Sequence, residues 1–431
     1  MPSLTAGVGP GVNERNEQIR SPSRRPGQPV RLWDIQQGDC LDLLRALPDN
    51  CIDAIVTDPP YGLSPDGRCR TWDDIESGRK GGGFMGKQWD AAVPGVTWAR
   101  ECLRVCSPGA HIVAFGGQRT IHRLICGLED AGWEIRDLGA WQQWQGFPKS
   151  LAVGKAIDAH HGAEREVVGE RTVAADKWTE PGRQALAAGV GSYSIPTSAP
   201  ATEDARKWEG YGTALKPCLE PWTLARKPLD GTVAENVLKW GTGALNIDGC
   251  RYGYGDPAWP GPGDEWRDNR DAGPQSSGAV PWASGTKDAH DLGRWPANVY
   301  ACPKASRGER EAGCGHLKPM SRDDVTGREP DSAGAKHARA GITASGEIRN
   351  GHPTVKPAAL MAWLCRLVGG QPGSLILDPF AGSGTTGIAA LREGFRFLGF
   401  ELDPEYIQIA EARITGDAPL FNRRDKNVAA C

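Results

Sequence analysis

The chain has 431 residues, 39% of them hydrophobic, with 57 glycines and 33 prolines; this allows one large α/β core plus a loop-rich second region and excludes disorder throughout. With a formal net charge of −3, bulk charge points to no polyanion partner, so any nucleic-acid face must come from local clustering. No apolar run reaches the ~20 residues of a membrane span, and no signal-peptide core is present, which reads as a cytoplasmic protein; the 12 scattered cysteines form no CxxC pair and read as reduced thiols.

Residues 1–29 are polar and rich in Pro, Gly and Arg and read as a disordered leader; Arg15, Arg20, Arg24 and Arg25 within it, with Arg31 just after it, form a basic arm. Order is expected from residue 30. A strand is predicted over Arg31–Asp39, a helix over Cys40–Leu47 ended by Pro48, and a buried strand over Cys51–Asp58. After a Gly-rich loop that includes Gly81–Asp90, helix Thr97–Cys106, strand Ala110–Gly116, helix Ile121–Ala131 and strand Glu134–Trp144 continue the alternation. A β-α-β rhythm of this kind predicts a mostly parallel sheet with helices on both faces.

The rhythm stops near residue 145. Residues 146–345 carry eight tryptophans among many Gly and Pro and read as a separate inserted module, its tryptophans chiefly core anchors. Alternation returns with helix Ala358–Val368, strand Ser374–Asp378, helix Thr385–Glu393, strand Phe395–Leu402, and helix Asp403–Ile414 with Asp403 as N-cap and Pro404 at its first position. Residues 30–145 and 346–416 are therefore expected to be halves of one sheet, followed by a tail over 417–431.

Two segments carry chemistry. Asp378, Pro379, Phe380, Ala381, Gly382, Ser383, Gly384 and Thr385 follow the apolar strand and open a helix. The glycines permit positive φ and close approach of backbone to a ligand, and the helix start offers free N–H groups, the physics of a nucleotide-cofactor cradle. No Lys follows the glycines, so an ATP-type phosphate loop is excluded. Glu401 ends the next strand, where a carboxylate meets ribose hydroxyls in doubly wound folds.

The second segment is Asp58-Pro59-Pro60-Tyr61 at the C-terminal end of the buried strand. An exocyclic amino nitrogen is a poor nucleophile because its lone pair is delocalised into the ring. Acceptors for its N–H hydrogens, the Asp58 carboxylate and the stiffened Pro59 carbonyl, would free that lone pair, and Tyr61 offers a ring to stack on the base. A base held this way must leave the double helix.

With both motifs present, the chain resembles the β class of amino-methylating DNA methyltransferases, in which the catalytic motif precedes the cofactor motif. Further segments, among them Ala225–Leu229 and Gly293–Asn298, resemble methylases of phages and prophages. The resemblance implies a Rossmann-like S-adenosylmethionine-dependent methyltransferase fold in circularly permuted order, with an inserted target-recognition domain. It implies S-adenosyl-L-methionine as cofactor, double-stranded DNA as partner and no catalytic metal. It assigns Thr354 and Lys356, in His352–Pro357, to the methionine end of the cofactor, and Asp39 to its adenine. Asp rather than Ser before Pro-Pro-Tyr favours adenine N6 over cytosine N4; a non-catalytic nucleic-acid-binding module is the rival from another class. The recognised sequence, a homodimer and a cognate restriction nuclease are left open.

Overall fold

The computed structural model describes residues 32–62, 69–76, 90–144, 146, 150–174, 185, 188–253, 255–259, 292–320 and 348–417. The expected leader, the basic arm, residues 81–89 of the Gly-rich loop, the tail beyond 417, and Trp178, Trp266 and Trp282 lie outside them.

In chain order the strands are β1 Trp33–Gln37, β2 Ile52–Thr57, β3 Cys106–Phe115, β4 Glu134–Gln142, β5 Val167–Ala174, β6 Ser192–Ser198, β7 Leu219–Arg226, β8 Val299–Ala301, β9 Leu375–Asp378 and β10 Arg396–Glu401. The helices are α1 Cys40–Ala46, α2 Trp72–Glu76, α3 Val96–Val105, α4 Ile121–Asp130, α5 Val153–His160, α6 Glu203–Lys207, α7 Val233–Trp240, α8 Arg307–Glu311, α9 Ala358–Val368, α10 Thr385–Arg392 and α11 Pro404–Asp417.

Eight strands form one sheet in the order β1-β10-β9-β2-β3-β7-β4-β8. The first five are mutually parallel, and β7 runs antiparallel to both β3 and β4. The permuted arrangement is explicit here, because β9 and β10, late in the chain, sit between β1 and β2. Apolar side chains cover both faces, as parallel strands under helices require. On one face Val56, Ile376 and Phe397 pack with Leu360, Trp363 and Leu364 of α9 and Ile388 of α10. On the other, Ile55, Leu377 and Phe400 pack with Leu44 of α1, Trp98 and Cys102 of α3 and Leu124 of α4. The outcome is three layers, helix on sheet on helix.

The structure corrects the reading of residues 146–345 as a separate module. β7 fills the position between β3 and β4, and β8 extends the same sheet, pairing with β4. The reason is packing: Trp222, Leu224, Cys250 and Tyr252 belong to the core under α9. Pro221 and the Gly/Pro-rich flanks mask this strand in the sequence, although Pro221 lies near its start, where a missing N–H is tolerated. What stands apart from the large sheet is the β5–β6 ribbon. The tryptophans divide: Trp222 is buried, whereas Trp208 and Trp295 are exposed.

Candidate active site

β2 and β9 run side by side and parallel, with Ile55 opposite Leu377, so Asp58 and the glycine turn leave the sheet at the same edge. The Thr57 hydroxyl ties them, donating to Asp378 Oδ1 at 2.6 Å. Asp378 also accepts from Thr386 Oγ1 at 2.6 Å and from the Phe380 N–H at 3.0 Å. Burial pushes its carboxyl up to about 6 against those three donors. Its hydrogen bonds are thus spent on shaping the turn.

Positive φ is required at Gly382 (50°) and Gly384 (75°). A Cβ at 382 would come within 2.7 Å of His352 Nε2, and one at 384 within 3.0 Å of Ala410 Cα. These are close approaches that only glycine permits. Glu401, on the neighbouring strand β10, accepts the Gly382 N–H at 2.8 Å with one carboxylate oxygen and the Asp403 N–H at 2.9 Å with the other. Ser383 and Thr385 turn toward α11, where the buried Arg413 donates to Ser383 O at 2.6 Å, Ser383 Oγ at 3.0 Å and Thr385 Oγ1 at 2.9 Å. This arginine staples the turn from behind. Nothing in its sequence neighbourhood marks it, because an arginine in an amphipathic helix ordinarily lies on the solvated face. The Phe380 ring packs against Trp72 and Trp98, each at 5.7 Å between centroids, and Pro379 and Ala381 are buried.

The turn after β2 is fixed by Asp90, which accepts the N–H groups of Tyr61 at 2.8 Å and Gly62 at 3.1 Å. Pro59 and Pro60 are buried beneath it. Lys356 places its ammonium on Asp58 Oδ2, with Tyr61 Oη at 3.1 Å and Glu220 Oε2 at 3.4 Å. Asp58 Oδ1 is buried with no hydrogen-bond partner. Burial pushes the Asp58 carboxyl above the usual carboxylate range while Lys356 pulls it back. For Lys356 two carboxylates outweigh burial and hold the ammonium above its ordinary value, so the site retains its positive charge at neutral pH.

Two of the expected cofactor residues have partners within the chain. Lys356, assigned by resemblance to the methionine end of the cofactor, faces Asp58 and Glu220, because a buried ammonium needs carboxylate partners. Asp39, assigned to the cofactor adenine, caps α1, accepting the Leu41 N–H at 2.9 Å. Thr354 is exposed on the loop leading to α9. Glu220, on β7, is a site residue that the motifs did not reveal.

His352 is buried, its ring edge-on to Tyr406 at 4.6 Å, and burial beside Arg310 and Arg413 lowers it from 6.5 to about 3. A folded value below the unfolded one means that the unfolded chain takes up the proton first. The neutral imidazole's contribution is therefore complete above about 6.5 and lost as pH falls toward 3. His352→Gln should remove up to about 2 kcal/mol of acid-induced destabilisation at pH 5. Parallel urea titrations at pH 7 and pH 5 measure this; an unaltered pH difference in the variant would contradict it.

The arrangement joins a nucleotide-type turn and a strand-end carboxylate with an unfilled acceptor. A profile of the DNA methylase family matches residues 52–158 and 264–412. The chain belongs to the DNA methylase family. Its relatives include the DNA adenine methyltransferase YhdJ of Escherichia coli (strain K12), 46% identical over 63 residues that make up 15% of this chain and 21% of that protein. The type II methyltransferase M2.DpnII of Streptococcus pneumoniae is 46% identical over 66 residues, 15% of this chain and 24% of that protein. The alignable stretch thus spans a quarter or less of either relative. Among solved structures, the PvuII DNA methyltransferase (cytosine-N4-specific) is similar with a TM-score of 0.42 at 15% identity, covering 93% of this chain and 89% of that one. No helix among the described residues of this methylase-family chain is long and apolar enough to cross a membrane.

Proposed function

We propose that the chain transfers a methyl group from S-adenosyl-L-methionine to N6 of adenine in double-stranded DNA, acting on a base flipped out of the helix. The observation that carries this reading is the buried, unpartnered Asp58 Oδ1 at the strand end beside the glycine turn. A buried acceptor without a donor costs about 1–3 kcal/mol, and an amino N–H of the extruded base would satisfy it.

The residues fit the cofactor. The glycine backbone at 382–384 lets a ligand approach closely, and Glu401 retains lone pairs for ribose hydroxyls. When bound there, S-adenosylmethionine supplies an electrophilic methyl group on a sulfonium. Asp58 accepts an amino hydrogen and concentrates the lone pair on nitrogen, and the Tyr61 ring stacks on the base. Positioning and electrostatics then account for the rate, without a metal or a covalent nucleophile. Asp in place of Ser before Pro-Pro-Tyr, and the adenine methyltransferase among the relatives, support N6 of adenine as the acceptor.

The deciding assay incubates the chain with labelled S-adenosylmethionine and duplex DNA, then separates the digested nucleosides. N6-methyladenine is expected. N4-methylcytosine would overturn the choice of base, and label confined to RNA or protein, or absent, would overturn the reading itself.

A further inference from the structure

One member of the charged cluster beside β2 lies outside both motifs. We propose that Glu220 is a positioning residue for the methyl transfer: it shares the Lys356 ammonium with Asp58, so that the cation on Oδ2 does not fully neutralise the carboxylate whose free Oδ1 receives the amino group of the target base. This deepens the reading above and rests on it.

The geometry is that of one cation between two anions. The Lys356 ammonium contacts Asp58 Oδ2 and lies 3.4 Å from Glu220 Oε2, while the Tyr61 hydroxyl donates to the same glutamate oxygen at 3.3 Å. The Lys356 side chain is 5% exposed and Glu220 23%, so water is a poor substitute for either carboxylate. A neutral amino group is a weaker partner for Asp58 than an ammonium, because charge-assisted hydrogen bonds are roughly twice as strong as neutral ones. Without a second carboxylate, the cation on Oδ2 would draw the carboxylate's charge away from Oδ1, where the amino group binds. With Glu220 in place, Lys356 divides its charge between two carboxylates that it already faces.

Tyr61 and Glu220 hold the ammonium on the Oδ2 side of Asp58, away from the free oxygen. The groups facing Asp58 are Lys356, Tyr61, Glu220 and Asp378. Lys356 faces in addition the ring of Phe115 and lies near the neutral His352, and Glu220 Oε1 lies 3.8 Å from Lys304. The negative charge of Glu220 works against ionisation of Asp58. Removing that charge therefore has two linked consequences: Lys356 tightens on Asp58, and Asp58 becomes harder to protonate.

The test uses the full chain, duplex DNA and S-adenosylmethionine, comparing Glu220→Gln and Glu220→Asp with wild type. For Glu220→Gln, kcat should fall roughly 10-fold with KM for DNA little changed, the pattern of a lost transition-state interaction. The acid limb of its pH profile should move down by about half to one unit. Glu220→Asp, which keeps the charge, should leave the acid limb at its wild-type position and recover part of kcat. Wild-type kcat with an unmoved acid limb in Glu220→Gln would overturn the inference. An Asp variant whose acid limb moves down from the wild-type position would also overturn it, and this comparison with wild type holds even where the Gln variant does not fold. If wild type itself moves no methyl group to DNA, the methylation reading has failed, an outcome distinct from either of these.

Discussion

Replacing Asp58 by Ala should lower methyl transfer to DNA by at least about 10²-fold while leaving cofactor binding intact; loss of a single preorganised electrostatic partner in a water-poor site has effects of this size. The residue stands apart from what holds the cofactor turn. The turn is kept by Thr57, Thr386 and Phe380 on Asp378 and by Arg413 on Ser383 and Thr385, none of which involves Asp58. Asp58→Asn preserves shape and removes charge, so Lys356 turns wholly to Glu220 and the amide's N–H groups face the amino group of the base. It should be nearly as defective as the Ala variant. Calorimetric titration with S-adenosylmethionine, beside a single-turnover transfer assay, separates the two functions. Full transfer by either variant would remove Asp58 from the chemistry, and loss of cofactor binding would place it in the cofactor site.

The second large effect is expected at Lys356. Met at this position keeps the length of the side chain and removes the cation from two largely buried carboxylates. Leaving a buried charge uncompensated costs about 3–5 kcal/mol, and the partial exposure of Glu220 puts this case near 3 kcal/mol. The deficit should depend on pH with a definite sign. Without the ammonium, nothing opposes the burial that raises the Asp58 carboxyl, so the folded chain binds its proton first. The deficit then shrinks as pH falls from 7 toward 5. Urea unfolding of Lys356→Met and wild type at both values measures it; a deficit that grows on acidification would exclude the ion cluster as its source. Methyl transfer should be lost in parallel, since a protonated Asp58 no longer offers an anionic acceptor.

How far the sequence could be read depended on how far each feature was encoded locally. The strand from 52 and the strand ending at Asp378 are apolar on both faces and bounded by turn residues, so periodicity located them within a residue or two. Asp403 and Pro404 announce the start of α11, and the Glu405 N–H does donate to Asp403 at 2.9 Å. By contrast, Glu220, Lys356 and Asp58 meet across separations of more than 130 residues, and no spacing rule encodes such a meeting. A long-range ion pair is visible only once the register β3-β7-β4 is known. The resemblance placed Asp39 and Lys356 by motif position alone, which does not reveal the partners their side chains take within the chain: a helix start to cap in one case, two carboxylates to neutralise in the other.

The antiparallel strand at 219–226 ties the intervening stretch of the chain to the candidate site. A swap of the whole segment between relatives, cut at 146 and 345, would carry with it an internal strand of the sheet and the glutamate that touches Lys356. Pieces meant to transplant only what lies beyond the sheet would therefore have to end before Leu219, begin after Ala301, or lie wholly within the loops between those strands, leaving the acid and its lysine in a matched pair.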